Sequence, residues 1–177
     1  MVTVIEASIP RDFDIVRDLF AEYSLWLCFR LFQEYRESVD PESMLRQNME
    51  TLAAFLPPRG LVLLGLSEGW PAGCTCIRTI AIGIAELKRM YVRPNFRGKG
   101  IGTALGQAAI QRARQLGYST LRLDSACFMS DAHHLYRSLG FADIAPYDGS
   151  DVPKEHQKDS VFMQLNLLPR EGGGSLS

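Results

Sequence analysis

The chain has 177 residues, 46% of them hydrophobic and 22% charged, which suits one domain with a sizeable core and leaves little room for a second. Nineteen basic against twenty acidic residues give a formal charge of −1, so no net field favours a nucleic acid or an acidic surface as partner. The longest apolar run, "LVLLGL" at 61–66, is far too short for a bilayer span, and the start "MVTVIEASIPRD" lacks a basic segment followed by a long apolar one, so a cytoplasmic, membrane-free protein is expected.

In chain order, "VTVIEAS" alternates as a short strand, and "PRDFDIVRDLFAEYSLWLCFRLFQEYRESV" carries apolar residues at helical spacing, as one or two helices. Pro41 then opens a further helix over "PESMLRQNMETLAAFL", which Pro57 and Pro58 close. Three β-like stretches follow, "GLVLLGLSEG", "WPAGCTCIRTI" and "GIAELKRMYV", with Gly, Pro and Ser turn signals between them, as in an antiparallel meander. A helix over 101–116 ends at Gly117, "YSTLRLDS" reads as a strand, "DAHHLYRSL" as a helix stopped by Gly140, and "SVFMQLNL" as the last strand. The single domain is expected to span 1–168, with the tail 169–177 disordered. Cys28, Cys74, Cys76 and Cys127 lack the paired spacing of a zinc site and read as reduced, buried thiols, with Cys74 and Cys76 on one strand face; no metal is expected.

The segment "RPNFRGKGIG" at 93–102 combines three glycines and three cations between a strand and a helix. A glycine-rich turn entering a helix leaves backbone N–H groups unpaired where the helix dipole favours an anion, which makes a phosphate cradle. Gly98, Gly100 and Gly102 let the backbone curl close to the anion, and Arg97 and Lys99 add charge. The spacing R-G-K-G-I-G is neither the dinucleotide-binding G-x-G-x-x-G nor a Walker loop, and the preceding strand belongs to a meander.

"RGKGIG" resembles the acetyl-CoA signature Q/R-x-x-G-x-G/A of the GCN5-related N-acetyltransferase (GNAT) family, with "AELKRMYV" as the strand before it and "AHHLYRSLGF" matching A-x-x-L-Y-x-x-L-G-F. The resemblance is strong over 60–167 and extends to the earlier elements only by pattern. It implies an α+β fold: a mixed, splayed, mostly antiparallel sheet with helices on both faces and acetyl-CoA in the cleft between two central parallel strands. It assigns the pantetheine to Met90, Tyr91 and Val92, the pyrophosphate to Arg97, Gly98, Lys99, Gly100, Ile101, Gly102 and Thr103, and further contacts to Ala132, His133 and Tyr136. Met129 stands where many members carry Asn, and "LDSACFMSDAHHLYRSLGF" with "APY" at 145–147 and "VFMQL" at 161–165 resembles a bacterial subgroup with Met there.

Acetyl transfer from a thioester to an amine needs a neutral nucleophile, a stabilised oxyanion and a proton for the departing thiolate. Glu86, a carboxylate in an apolar strand, is the candidate base, acting directly or through a water, and its alternative is a structural pair with Lys88 or Arg89. Tyr136 is the candidate acid at the position where the family carries one, and its alternative is a core aromatic. A main-chain N–H between Met90 and Val92 is the oxyanion donor that the resemblance implies. His133 and His134 offer a histidine base as the lesser option. Tyr23, Trp26, Gln33, Glu34 and Tyr147 are candidate contacts to the acceptor, a small-molecule or peptide amine, in a monomer or homodimer. The competing reading is an acyl-CoA-binding module without turnover, serving as a sensor or partner-binding domain.

Overall fold

The computed structural model of the chain describes residues 1–167, so the tail expected at 169–177 lies outside the described residues. A seven-stranded sheet in the order β1-β2-β3-β4-β5-β7-β6 runs through the molecule. Its strands are β1 (Val2–Glu6), β2 (Gly60–Ser67), β3 (Trp70–Ala81), β4 (Ile84–Val92), β5 (Thr120–Ala126), β6 (Ala142–Ile144) and β7 (Ser160–Asn166). Every neighbouring pair is antiparallel except β4 and β5, so the α+β architecture expected from the sequence is the one found.

Alternation along β2 shows why its run is apolar throughout. Leu61 and Leu63 point into a core shared with α3 (Ile101–Gln115) and α4 (Ser130–Ser138) on one face. Val62 and Leu64 point into a second core under α1 (Phe13–Tyr35) on the other. A strand covered on both faces has no solvent side to mark with polar residues. The second core holds Phe20, fully buried, whose truncation to Ala is expected to cost about 3–5 kcal/mol.

The α1 segment forms one helix of 23 residues, since it contains no Pro or Gly to break it, and it ends at Arg36 in the left-handed region. The next helix, α2 (Pro41–Glu50), has Pro41 in its first turn and Asp40 as cap, accepting from the N–H groups of Glu42 and Ser43. It is shorter than the sequence suggests. The Thr51 hydroxyl bonds back to the Gln47 carbonyl, and Leu52–Phe55 continue as a tight 3-10 turn. Three cysteines are buried as expected, but Cys127 is exposed because it lies past the last residue of β5, in the turn toward α4. The short strand β6 carries no sequence signal, with three residues and no apolar alternation. Among the described residues no helix is long and apolar enough to cross a membrane.

Candidate active site

The parallel pair β4 and β5 is joined only at Ile84–Thr120, Ala85–Leu121 and Glu86–Arg122. Beyond Glu86, β4 continues along β3 and β5 continues along β7, so the two strands part and leave a V between their facing edges. Within that stretch β4 is irregular. Cys74 faces Tyr91 while Cys76 faces Lys88, which leaves Arg89 and Met90 together opposite Thr75, with Arg89 at φ 53. This bulge begins one residue before the Met90–Val92 segment from which a main-chain oxyanion donor is expected. It re-aims the chain: Met90 packs on the α3 side and Tyr91 on the α1 side. Arg89 turns beneath α1, its guanidinium 5.0 Å from the Phe20 ring centre and 4.3 Å from that of Phe55. Its Nε donates to Asn48 Oδ1 at 3.0 Å and its second nitrogen to Thr51 Oγ1 at 2.8 Å.

At the mouth of the V lies the glycine turn. The first backbone bond of α3 runs from Ala104 N–H to Gly100 O at 3.0 Å, and no side chain caps the helix, so the N–H groups of Ile101, Gly102 and Thr103 have no partner within it. Gly98 and Gly100 have φ of 72° and 79°, and a Cβ at either would meet nothing within 4 Å, so the backbone here is bare and open. That openness fits a pyrophosphate group approaching the helix start. Gly102 serves a different purpose: a Cβ there would lie 3.2 Å from Leu135 Cδ2, so its absence lets α4 pack onto α3. Both cations are exposed and rest on their own turn. Arg97 donates from Nε to Val92 O at 3.0 Å and its guanidinium lies 5.7 Å from the Trp26 ring centre, while Lys99 Nζ lies 5.3 Å from that of Phe96.

On the α1 side of the sheet Glu86 is fully buried. Its Oε2 accepts from Arg78 at 2.7 and 2.6 Å, its Oε1 accepts from the Tyr147 hydroxyl at 2.8 Å, and Lys88 Nζ is 3.9 Å away. The partner is therefore Arg78 of β3 and not Arg89, because the bulge has carried Arg89 away. Burial pushes the Glu86 carboxyl above the usual range, against the pull of Lys88, Arg78 and the Tyr147 bond. Lys88 bonds Asp124 of β5 at 2.9 and 3.1 Å, and so bridges the two strands where they begin to part. The loop before β7 closes over this cluster: Ser150 donates to Asp124 at 2.9 Å, and Asp151 accepts from Arg78 at 2.8 Å. Tyr147 is fixed edge-on against Phe162, and burial, then the charge of Glu86, raise its phenol pKa.

Tyr136 rises from α4 into the core next to Phe141, buried, and its hydroxyl has no hydrogen-bond partner among the described residues. Burial raises its pKa, with the Tyr23 phenol and the Asp124 carboxylate adding to the effect. Such a phenol keeps its proton at neutral pH. His133 is also buried; its Nε2 shares a hydrogen bond with Ser125 Oγ at 3.1 Å, and burial followed by Arg137 lowers its pKa. Met129 fills the position of the usual Asn, and its sulfur accepts from Ser125 Oγ at 3.4 Å. Ala132 is half-buried beside it on α4.

Tyr23 and Trp26 of α1 meet Tyr91 in a three-ring cluster with centroids 6.1–6.4 Å apart. Burial pushes the Tyr23 phenol up to about 12. Gln33 and Glu34 are not part of this assembly. Both are exposed near the end of α1, where Glu34 pairs with Arg30 at 2.8 Å.

The sequence pattern of the Acetyltransferase (GNAT) family matches residues 24–141, two thirds of the chain. The chain belongs to the GNAT acetyltransferase family. Its members here include a Schizosaccharomyces pombe protein named as an uncharacterized N-acetyltransferase, 29% identical over 94% of this chain and 95% of that one. Another, an IAA acetyltransferase of Azospirillum brasilense, is 35% identical over 68% of this chain and 74% of its own. Among solved structures, a putative acetyltransferase of Salmonella typhimurium with its cofactor acetyl-CoA shares the fold, with TM-score 0.65 and 20% identity over 99% of both chains. As a GNAT acetyltransferase the chain is an enzyme that depends on acetyl-CoA, which sets aside the silent binding module.

Apart from Lys88, already a candidate partner of Glu86, and Tyr147, a candidate acceptor contact, the members of the Glu86 cluster carried no usable sequence signal. Arg78, Lys88, Asp124, Ser150 and Asp151 come from β3, β4, β5 and a loop, and only strand pairing brings them together. The alternation of Glu86 with Lys88 and of Arg122 with Asp124 was the one available hint, since each polar pair lies on the face opposite Ala85, Leu87, Leu121 and Leu123.

Proposed function

We propose that the chain is an N-acetyltransferase that moves the acetyl group of acetyl-CoA to a primary amine of a small molecule or peptide, by direct attack in a ternary complex. The observation that supports this reading is the parting of β4 and β5 immediately after Glu86, with the Glu86 cluster on the α1 side of the sheet and Tyr136 on the α4 side. When bound, acetyl-CoA supplies an activated acetyl thioester. The N–H groups of Ile101, Gly102 and Thr103 with Gly98 and Gly100 hold its pyrophosphate, helped by Arg97 and Lys99, and the freed edge of Met90, Tyr91 and Val92 holds its pantetheine. A main-chain N–H freed near the bulge donates to the developing oxyanion.

Glu86 is the base. Being fully enclosed, it takes the proton of the acceptor's ammonium through the Tyr147 hydroxyl that already donates to it, or through a water at the same place. Tyr136 keeps its proton available for the departing sulfur, because burial holds the phenol protonated across the working range. Tyr23 and Trp26 form the apolar wall of the acceptor space and Tyr147 its polar one, while Ala132 and His133 on α4 belong with Tyr136 to the cofactor contacts. Initial-rate kinetics with acetyl-CoA and a panel of amines test this. Intersecting double-reciprocal lines with thiol release only in the presence of amine are expected. Parallel lines, or thiol release without acceptor from a covalent acetyl-enzyme, contradict direct attack.

A further inference from the structure

The outer face of α1 carries a seam that the reaction does not use. At the alternating four- and three-residue spacing of a coiled-coil stripe lie Asp18, Glu22, Leu25, Phe29, Phe32 and Arg36. Its centre is exposed to an extent unusual for large apolar side chains: Leu25 by 61%, Phe29 by 58% and Phe32 by 50%. Beside it a shallow groove of about 250 Å³ runs between Phe29, Phe32, Cys28 and the Val39–Pro41 turn. The ends of the seam are charged with opposite sign. Among the described residues Asp18 is exposed and pairs only with its neighbour Arg17, and Arg36 lies against the Phe32 ring with no acidic partner.

The seam is also symmetric about position 27. Leu25 and Phe29 lie two residues to either side of it, Glu22 and Phe32 five, and Asp18 and Arg36 nine. An antiparallel copy of the same helix therefore places Leu25 on Phe29, Glu22 on Phe32 and Asp18 on Arg36, each contact occurring twice. The Glu22 carboxylate is already held by Arg93 at 2.7 Å, so burying that position leaves no free charge. A self-complementary patch of this kind is what an isologous twofold contact requires, and an unrelated apolar partner has no reason to meet an acid at one end and a base at the other.

We propose that the protein forms a twofold homodimer through antiparallel pairing of α1, with Leu25, Phe29 and Phe32 at its centre and Asp18–Arg36 pairs at its ends. The contact is about 27 Å long from the helical rise, and two helices with their bordering turns sit at the low end of stable interface size. A reversible dimer follows. Because the inner face of the same helix carries Tyr23 and Trp26, the two acceptor spaces lie on opposite sides of the shared contact.

Sedimentation equilibrium of the full chain over roughly 1–200 µM tests the pairing, a range chosen for a small interface. A monomer–dimer equilibrium is expected for the wild type. Phe29→Glu, exposed and outside the reaction site, is expected to be monomeric throughout with unchanged circular dichroism and turnover. Asp18→Arg and Arg36→Asp are each expected to weaken association about fivefold, and the double variant to recover it, as exchanged charges should. A wild type that stays monomeric at the top of the range, a Phe29→Glu variant that still dimerises, or a double variant weaker than both single ones would each overturn the proposal. Vesicle binding by a monomeric wild type would reassign the stripe to a lipid surface and overturn it equally.

Discussion

On the α3 side of the β4–β5 parting, what can hold a ligand is backbone: three N–H groups at an uncapped helix start and two glycines with nothing near them. On the α1 side it is side chain: Glu86, Arg78, Lys88, Asp124, Tyr147, Ser150 and Asp151, drawn from three strands and a loop and bonded to one another. Backbone recognition depends on local geometry and tolerates change elsewhere in the chain. A bonded side-chain cluster is sensitive to each of its members, and its low-dielectric setting moves proton affinities in a way that exposed groups do not experience. The contrast suits a donor common to many enzymes on one side and an acceptor specific to few on the other.

Gly100→Asp attacks the backbone side most sharply. At φ 79° Asp is tolerated at a cost of about 1 kcal/mol, so the protein should fold. The added carboxylate faces the bound pyrophosphate, and CoA affinity by calorimetry should fall by more than about a hundredfold. Unchanged affinity in a folded variant would remove the backbone account of that side.

Glu86→Gln attacks the other side and should leave CoA affinity alone. Burial raises the Glu86 pKa, so the wild-type rate should begin to fall on the acid limb at a higher pH than for an ordinary glutamate. The variant should lose about a hundredfold in kcat/KM above that limb, and the deficit should shrink at lower pH, where the wild-type carboxyl is itself protonated. Identical pH profiles for the two would place the base elsewhere. Tyr147→Phe is the subtler version. It deletes one bond that favours the Glu86 carboxylate, so the acid limb should move to still higher pH and kcat should fall about tenfold. A profile that drops uniformly without shifting would mean that Tyr147 only binds the acceptor.

Asn48→Ala should have the smallest effect and the most local one. It strips Arg89 Nε of its partner beneath α1, and a loss of about 1–2 kcal/mol is expected in denaturant unfolding, with CoA affinity unchanged. If CoA affinity moved instead of stability, the Arg89 bonds beneath α1 would have to be counted with what shapes the bulge for the cofactor.

These differences also explain what the sequence made readable. The glycine turn, the strand before it and "AHHLYRSLGF" are each contiguous motifs, so the family resemblance they carry could single out the glycine turn and Tyr136 as candidates. The meander was legible for the same reason, as short strands separated by turn signals. The Arg78–Glu86 pair was not, because it depends on the register of β3 against β4, and the one-residue bulge that sends Arg89 under α1 leaves no mark in composition. Glu34 was chosen on helix position alone, and the helix phase turns it outward to Arg30. Strand β6 was invisible because three residues, two of them exposed, are too few to carry a period.

The central claim is that chemistry occurs at the parting of β4 and β5 with Tyr136 as its acid, and the pH dependence of Tyr136→Phe turnover tests it most directly. Only the hydroxyl is removed, and it has no hydrogen-bond partner among the described residues, so fold and CoA affinity should persist. Turnover near pH 7 should fall on the order of a hundredfold, and the deficit should shrink as pH rises and the thiolate needs its proton less. Near-normal turnover from about pH 6 to 9, across the range where a thiol of pKa about 8.5 titrates, would contradict the claim and leave Tyr136 a packing residue.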